Sequence, residues 1–195
     1  GMKTAVIARP PVWGAVISTS ATVDDAAARQ VPGVERVVRL AEFPIPGGYM
    51  PLGGVAVVAA HTWAAIQGAK ALALTWTPGP NATYESKSYR KRLEASVRAA
   101  GKPGRTQGDV DAGLAAAARR ISAEYYIPHL SHAQMEPVVA VAQVKDGLVE
   151  VWAPTQSPQD ARAAIAACLK VEIDKVTVHV TLLGGAFGRK SKPDF

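Results

Sequence analysis

The sequence lacks several features that would place it in a common class of protein. It has one cysteine in 195 residues, Cys168, which rules out an intrachain disulfide and a cysteine-based metal site. No stretch is long and apolar enough to span a bilayer, and the chain does not open with a secretory signal. The first residues, Gly1 and Met2, are typical of a cleaved tag, so the cellular compartment stays unknown.

The catalytic residue sets of common hydrolases are absent as well. No Ser/His/Asp or Cys/His arrangement with recognisable surroundings occurs, which leaves hydrolysis through a side-chain nucleophile without support. Cys168 falls on a predicted helix face that it shares with Ala161 and Ile165. We therefore expect the thiol of Cys168 to be buried in the core rather than reactive.

Histidine is scarce, and its one grouping is a weak metal signal. His129 and His132, with Glu136 four residues further on, are residue types that zinc prefers. Prolines flank this group and residues 123–127 alternate like a strand, so a helix that would bring the side chains together is disfavoured. Zinc binding stays open as an alternative.

The net charge of +6 is concentrated in two segments. Residues 84–105 hold seven basic and two acidic side chains, and Arg189, Lys190 and Lys192 stand against a single Asp194. The first segment is predicted to form a helix with Tyr89, Leu93 and Val97 on its apolar side and the basic residues on its solvated face. Without interleaved aromatic residues or a known motif, this pattern does not predict nucleic-acid binding.

What the sequence does contain is a glycine-rich loop directly after a strand. In residues 176–183, valine or leucine occupies every second position, which predicts a β-strand. Gly184 and Gly185 follow directly, so the glycine-rich loop is predicted at the carboxyl end of this strand. Glycine permits positive φ and lets backbone N–H groups approach a ligand, and the cations that follow favour an anion. The loop matches neither the P-loop nor the dinucleotide fingerprint. A plain turn between two strands is the alternative.

A second loop carries a side-chain amide at the end of another strand. Residues 147–152 are predicted to form a strand and residues 158–169 a helix, with Pro158 at its first position and Ser157 as its cap. Gln156 lies between them and could present both a donor and an acceptor to a cleft. Taken alone, a glutamine in this position is more commonly a surface residue.

The pattern of elements predicts a mixed α+β chain without internal repeats. A loop rich in proline and glycine is expected over residues 44–54. The expected strands are 4–9, 12–18, 34–40, 55–59, 73–77, 121–127, 147–152 and 176–183. The expected helices are 23–30, 62–72, the basic helix within 84–105, 110–118 and 158–169.

Several segments together resemble the molybdenum-binding subunits of the xanthine dehydrogenase and aldehyde oxidase superfamily, and within it the isoquinoline 1-oxidoreductase group. They are Met135-Glu136-Pro137, Val151-Trp152-Ala153-Pro154-Thr155-Gln156, the stretch 177–189 and Pro193-Asp194-Phe195, with Ala8-Arg9-Pro10-Pro11-Val12-Trp13-Gly14 and Val31-Pro32-Gly33-Val34 near the start. The resemblance implies an α/β hammerhead-like domain over 1–80, a helical connector over 81–118, and the first part of a molybdopterin-binding domain over 119–195. The chain would then be a truncated internal piece of a longer subunit.

The resemblance also implies a cofactor, a molybdenum pyranopterin in its cytosine dinucleotide form, which the isolated piece would not hold. The residues carried over as cofactor-binding are Gln156, Gly184, Gly185, Ala186, Phe187, Gly188 and Arg189. In the family, the glutamine matching Gln156 and the N–H matching Phe187 contact oxygen or sulfur ligands of the metal. No direct metal ligand and no catalytic residue is expected here, because the family's glutamate base lies far beyond the glycine loop; for Glu136 we expect packing or hydrogen bonding near the site.

The implied activity is oxidation of N-heteroaromatic compounds or aldehydes with oxygen taken from water, in a complex with a small [2Fe-2S] subunit. Purine-oxidising members carry a glutamate shortly after the glycine loop where this chain has Ser191, so a purine substrate is disfavoured. The piece itself is expected to be inactive. The alternative from another class is a stand-alone binding module for a phosphate-bearing ligand.

Overall fold

The computed structural model describes residues 1–17, 23–42 and 52–194. Its strands are β1 (Thr4–Ala8), β2 (Val16–Ile17), β3 (Val34–Leu40), β4 (Gly54–Ala59), β5 (Trp76–Thr77), β6 (Val141–Lys145), β7 (Leu148–Ala153) and β8 (Val176–Val180). Its α-helices are α1 (Ala26–Arg29), α2 (Thr62–Ala71), α3 (Ser86–Arg98), α4 (Val110–Ala116) and α5 (Pro158–Leu169). The expected mixture of helices and strands is therefore confirmed.

The chain divides into two compact units, one formed by Gly1–Ala82 with His132–Phe195 and the other by Thr83–Ser131. This grouping does not test the domain boundaries expected from the resemblance, which stay predictions. No helix in the described ranges combines the length and the apolar character needed to cross a membrane.

The first part of the larger unit is an antiparallel sheet in the order β1-β4-β3, with α2 packed against it. β4 lies in the middle and is buried along almost its whole length, because strands cover both of its edges and the helix covers one face. Its buried residues and those of α2, among them Val57, Ala64 and Ala65, form the core here. β2 and β5 form a separate two-stranded ladder.

The second part of the larger unit is a sheet in the order β6-β7-β8. β6 and β7 form an antiparallel hairpin closed by Asp146 and Gly147, which both have positive φ (51° and 77°), as a tight hairpin turn requires. β7 and β8 are parallel, with α5 in the crossover between them. One face of the two parallel strands packs on Ala166 of α5, which fixes the register of the pair.

The smaller unit carries the basic helix α3, whose lysine and arginine side chains are all exposed, as expected for a solvated face. Glu85 caps α3 by accepting hydrogen bonds from the N–H groups of Lys87 and Ser88 at 2.8 and 2.7 Å. These backbone hydrogen bonds stabilise the carboxylate and lower the pKa of Glu85.

The strand expected over residues 121–127 is wrong, because this segment has neither helix nor strand. Ile121, Tyr125 and Ile127 are 81%, 91% and 84% exposed, and no described strand pairs with them. Alternation of side chains predicts a strand only where a partner supplies the ladder of hydrogen bonds.

The core position expected for Cys168 is also wrong, because its side chain is exposed. The buried side of α5 centres on Ala166. Position 168 lies two residues further, roughly 200° around the helix, so sharing a face with Ile165 does not bring Cys168 inward.

Other boundaries shift in both directions. The strand expected to run to residue 183 ends at Val180, whereas β7 continues to Ala153, one residue beyond its expected end. Of the strand expected over 12–18, only Val16–Ile17 forms, with residue 18 not described. The loop expected over 44–54 falls mostly on residues 43–51, which are not described. By contrast, α5 matches its predicted bounds.

We expect Val176→Ala to lower the free energy of unfolding by about 2 kcal/mol, because Val176 is buried in the core shared by β7, β8 and α5. Val180→Ala is the matched control, since Val180 lies on the same strand but is 50% exposed. Urea denaturation of both variants measures the difference. Equal losses would show that the burial of Val176 adds nothing to the stability of this sheet.

Candidate functional site

The two loops singled out in the sequence leave the same edge of one sheet. Parallel pairing sets Ala153 opposite Val180, so the carboxyl ends of β7 and β8 lie side by side. The N–H of Thr181 donates to the carbonyl of Ala153 at 3.2 Å, which continues the pairing one step beyond the strands. The carboxyl ends of the two strands therefore meet at one edge of the sheet.

Gln156 is fixed to the far end of the glycine loop through its backbone. Its N–H donates to the carbonyl of Lys190 at 2.9 Å, while its side chain is exposed. The neighbouring Thr155 is only 2% exposed, and its Oγ1 lies 3.4 Å from the same carbonyl. The loop after β7 is therefore attached directly to the loop after β8.

The cap expected at Ser157 is absent, because the Ser157 hydroxyl donates instead to Oδ2 of Asp160 at 2.5 Å. The backbone N–H of Ser157 is bound by Oγ1 of Thr155 at 3.1 Å. Thr155 thus orders the turn into α5.

Residues 184–188 form a turn in which four of five residues have positive φ. The values are 53° at Gly184, 79° at Gly185, 52° at Phe187 and 89° at Gly188, with the buried Ala186 between the two pairs. Backbone that turns in this way forms concave sites where N–H groups can bind anions. A glycine is required at position 184, because an added Cβ would lie 2.5 Å from the Cβ of Glu136.

Phe187 is the exception in this turn, because a bulky side chain rarely adopts left-handed backbone. Phe187 as a residue is 66% exposed, so packing of its side chain does not explain the conformation. No hydrogen bond within the described part of the chain uses the N–H of Phe187. Strained backbone with an open donor is typical of a functional position.

The segment before β6 closes the other side of the loop. The N–H groups of Met135 and Glu136 donate to the carbonyls of Gly185 and Gly184 at 3.3 and 3.0 Å. The side chain of Glu136 forms an ion pair with Lys190. Glu136 thus has the packing and hydrogen-bonding role that we expected.

The first two cations after the loop, Arg189 and Lys190, bind partners within the chain itself. Lys190 is completely buried and also donates to the carbonyl of Leu183 at 3.0 Å. Arg189 binds Asp194 through two hydrogen bonds of 2.7 Å each. No signal in the sequence indicates the burial of Lys190, because lysine is normally exposed and its partner lies 54 positions away.

Two of the four histidines contact aromatic side chains. His179 stacks on Trp152, with the ring centroids 4.9 Å apart, and His129 contacts the hydroxyl of Tyr84 at 3.2 Å. Within residues 1–17, 23–42 and 52–194, no three His, Cys, Asp or Glu side chains form a group that could hold a metal ion.

Known proteins resemble this chain over almost all of its length. The beta chain of isoquinoline 1-oxidoreductase from Brevundimonas diminuta is 33% identical over 99% of this chain and 24% of its own length. One of the subunits of nicotinate dehydrogenase from Pseudomonas putida is 29% identical over 96% of this chain and 15% of its own length. The chain thus spans about a quarter or less of these relatives.

Solved structures share the fold. Quinoline 2-oxidoreductase from Pseudomonas putida 86 matches with a TM-score of 0.67 and 21% identity, over 97% of this chain and 28% of that chain. The aldehyde oxidoreductase from Desulfovibrio desulfuricans matches with a TM-score of 0.63 and 19% identity, over 97% of this chain and 24% of that chain. At such identities the likeness concerns the fold alone.

A family model described as the molybdopterin cofactor-binding domain matches residues 95–194, which include both loops and the segment that closes them. This match covers more than half of the chain. With the relatives above, it shows that the chain belongs to the molybdopterin cofactor-binding domain family, in the xanthine dehydrogenase and aldehyde oxidase superfamily.

Proposed function

We propose that this chain is an internal part of the large subunit of a molybdenum hydroxylase that oxidises N-heteroaromatic compounds or aldehydes with oxygen from water. The observation that carries the proposal is the joining of Gln156 and the glycine loop at one sheet edge, through the bond from Gln156 N–H to the Lys190 carbonyl. The names of the relatives, an isoquinoline oxidoreductase and a nicotinate dehydrogenase, support the substrate class.

The residues present fit a molybdenum pyranopterin, because an oxygen-rich anionic group suits the concave backbone at 184–188. The amide of Gln156 and the N–H of Phe187 would hold it, with Gly185, Ala186 and Gly188 providing the close backbone approach. We assign Arg189 to the same cofactor contact, although its guanidinium also binds Asp194. On the resemblance to the isoquinoline 1-oxidoreductase group, we propose the cytosine dinucleotide form.

When bound, the cofactor supplies the redox chemistry of hydroxylation. This chain contributes two dipoles. The N–H of Phe187 is held in place by the strained turn, and the side-chain amide of Gln156 projects from a backbone that its bond to Lys190 anchors. Dipoles that are oriented before the reaction stabilise developing charge without reorganising. Proton transfer is assigned to a glutamate elsewhere in the full-length protein, and Glu136 is not proposed as the base because it is paired with Lys190.

The proposed organisation follows the resemblance. We propose a hammerhead-like domain over 1–80, a connector over 81–118, and the start of the cofactor domain over 119–195. A small [2Fe-2S] subunit is the proposed electron acceptor. Ser191, which replaces the glutamate of purine-oxidising members, favours an N-heterocyclic or aldehyde substrate over a purine.

A stand-alone module for a phosphate-bearing ligand is the weaker alternative. Such a module would need the cations directly after the loop to be available to the ligand. The first lysine after the loop, Lys190, is instead completely buried and paired with Glu136.

We expect the isolated 195-residue chain to be catalytically silent. Loss of a general base alone slows such chemistry by roughly two to four powers of ten, and the rest of the cofactor shell is also expected outside this piece. Substrate-dependent dye reduction by the purified chain is the measurement, with a molybdenum-free preparation as control. A rate above that control would contradict the prediction.

In the full-length, partnered protein, we expect Gln156→Ala to lower turnover roughly ten- to a hundredfold, because it removes a hydrogen bond to a charged centre. Folding should be retained, since the structural bond of Gln156 uses its backbone N–H. Gln143→Ala is the matched control, because Gln143 is an exposed glutamine of β6 in the same sheet. Turnover of an N-heterocycle and molybdenum content are measured together.

For Gly185→Val in the same protein, we expect loss of bound molybdenum. Gly185 has φ 79°, and an added Cβ would lie 3.3 Å from Cγ of Met135, so a branched side chain strains the turn and narrows the backbone approach. Metal analysis measures the loss. If both variants keep wild-type metal content and wild-type rate, this edge is not the cofactor site and the loop is a plain strand connection.

A further inference from the structure

Lys190 has no part in the proposed chemistry, yet it is the largest completely buried side chain among the described residues. A lysine in such a position is unusual, because removing an ammonium group from water is unfavourable unless partners compensate for it. Its Nζ finds two acceptors, the carboxylate of Glu136 and the carbonyl of Leu183. These two acceptors offset the unfavourable removal of the ammonium group from water.

The same residue touches three separate segments of the chain. Its side chain reaches Glu136, before β6, and Leu183, at the start of the glycine loop. Its carbonyl accepts the N–H of Gln156 at 2.9 Å, beyond β7. Both ends of the glycine loop and the Gln156 turn are thus attached to a single residue.

We propose that Lys190 and Glu136 are positioning residues, which hold the strained turn and Gln156 in the geometry that binds the cofactor. This inference rests on the proposed function for its last step only. The turn has positive φ at the non-glycine Phe187, so it persists only if its surroundings enforce it. The bonds of Glu136 are suited to that purpose: its N–H holds the Gly184 carbonyl and its carboxylate holds Lys190.

The pair differs from a simple stabilising contact in one measurable respect. If its role is only to satisfy a buried charge, removing both charges should restore the wild-type state, because apolar or neutral replacements of buried pairs are often well tolerated. If its role is positional, removing both charges restores stability but leaves the loop loose. The test therefore compares Lys190→Met, Glu136→Gln and the double variant.

Amide hydrogen exchange and thermal unfolding of the 195-residue chain provide the two readouts. The reporting amides are the N–H groups of Gln156 and Arg189, which bind the carbonyls of Lys190 and Ala186. We expect Glu136→Gln to lower the Tm by roughly 10 °C, because it leaves the buried ammonium without its carboxylate. Lys190→Met should lower the Tm by less, since the Glu136 side chain that it leaves unpaired is 34% exposed and can be solvated.

In the double variant, we expect a Tm within a few degrees of wild type, but exchange of the two reporting amides at least about tenfold faster. Lys145→Met, on the exposed strand β6 of the same sheet, should change neither quantity. Wild-type exchange in a stable double variant would overturn the positioning role, even if Glu136→Gln fails to fold.

Metal analysis of the full-length, partnered double variant then separates this inference from the proposed function. Fast exchange together with lost molybdenum supports both. Fast exchange with full molybdenum content leaves the loop-positioning role standing, and counts against cofactor binding by this loop.

Discussion

The parallel pairing of β7 with β8 is the constraint on which the candidate site depends. Two strands that run in the same direction end at the same edge of a sheet, so whatever follows each strand becomes a neighbour there. An antiparallel pair would send the two loops to opposite edges. The crossover helix α5 makes the parallel arrangement possible, and the core around Ala166 and Val176 sets its register. The position of Gln156 beside the glycine loop thus follows from packing some distance away.

Pairing alone brings the loops together but does not give them a shape. The shape comes from the segment at residues 135–136, which bonds to the glycine loop through two backbone N–H groups, and from Lys190, which joins that segment to the loop. Backbone polar groups that leave a sheet need new partners, and here the loops and the preceding segment supply them to one another. The site is held by hydrogen bonds, whereas the sheet beneath it is held by apolar packing.

The sequence predicted the parts of this arrangement that depend on local pattern. Helix α5, the strand β8 up to Val180, and the place of Gln156 between strand and helix all follow from periodicity and from proline and glycine positions. Predictions from the sequence were wrong, or absent, where partners distant in the chain determine the structure. Residues 121–127 alternate like a strand but have no described partner, and Cys168 lies outside the packed side of its helix. The burial of Lys190 depends on a partner 54 residues away, which no local pattern contains.

The open N–H at Phe187 has a consequence for how this surface tolerates change in sequence. A contact made by a side chain disappears when that residue is replaced, whereas a backbone donor is present in every residue except proline. The exposed ring of Phe187 can therefore vary with little effect on the donor, as long as the new residue accepts the same left-handed backbone. Recognition at this position therefore depends on the neighbouring glycines and on the hydrogen bonds that bend the chain. It depends little on which residue occupies position 187.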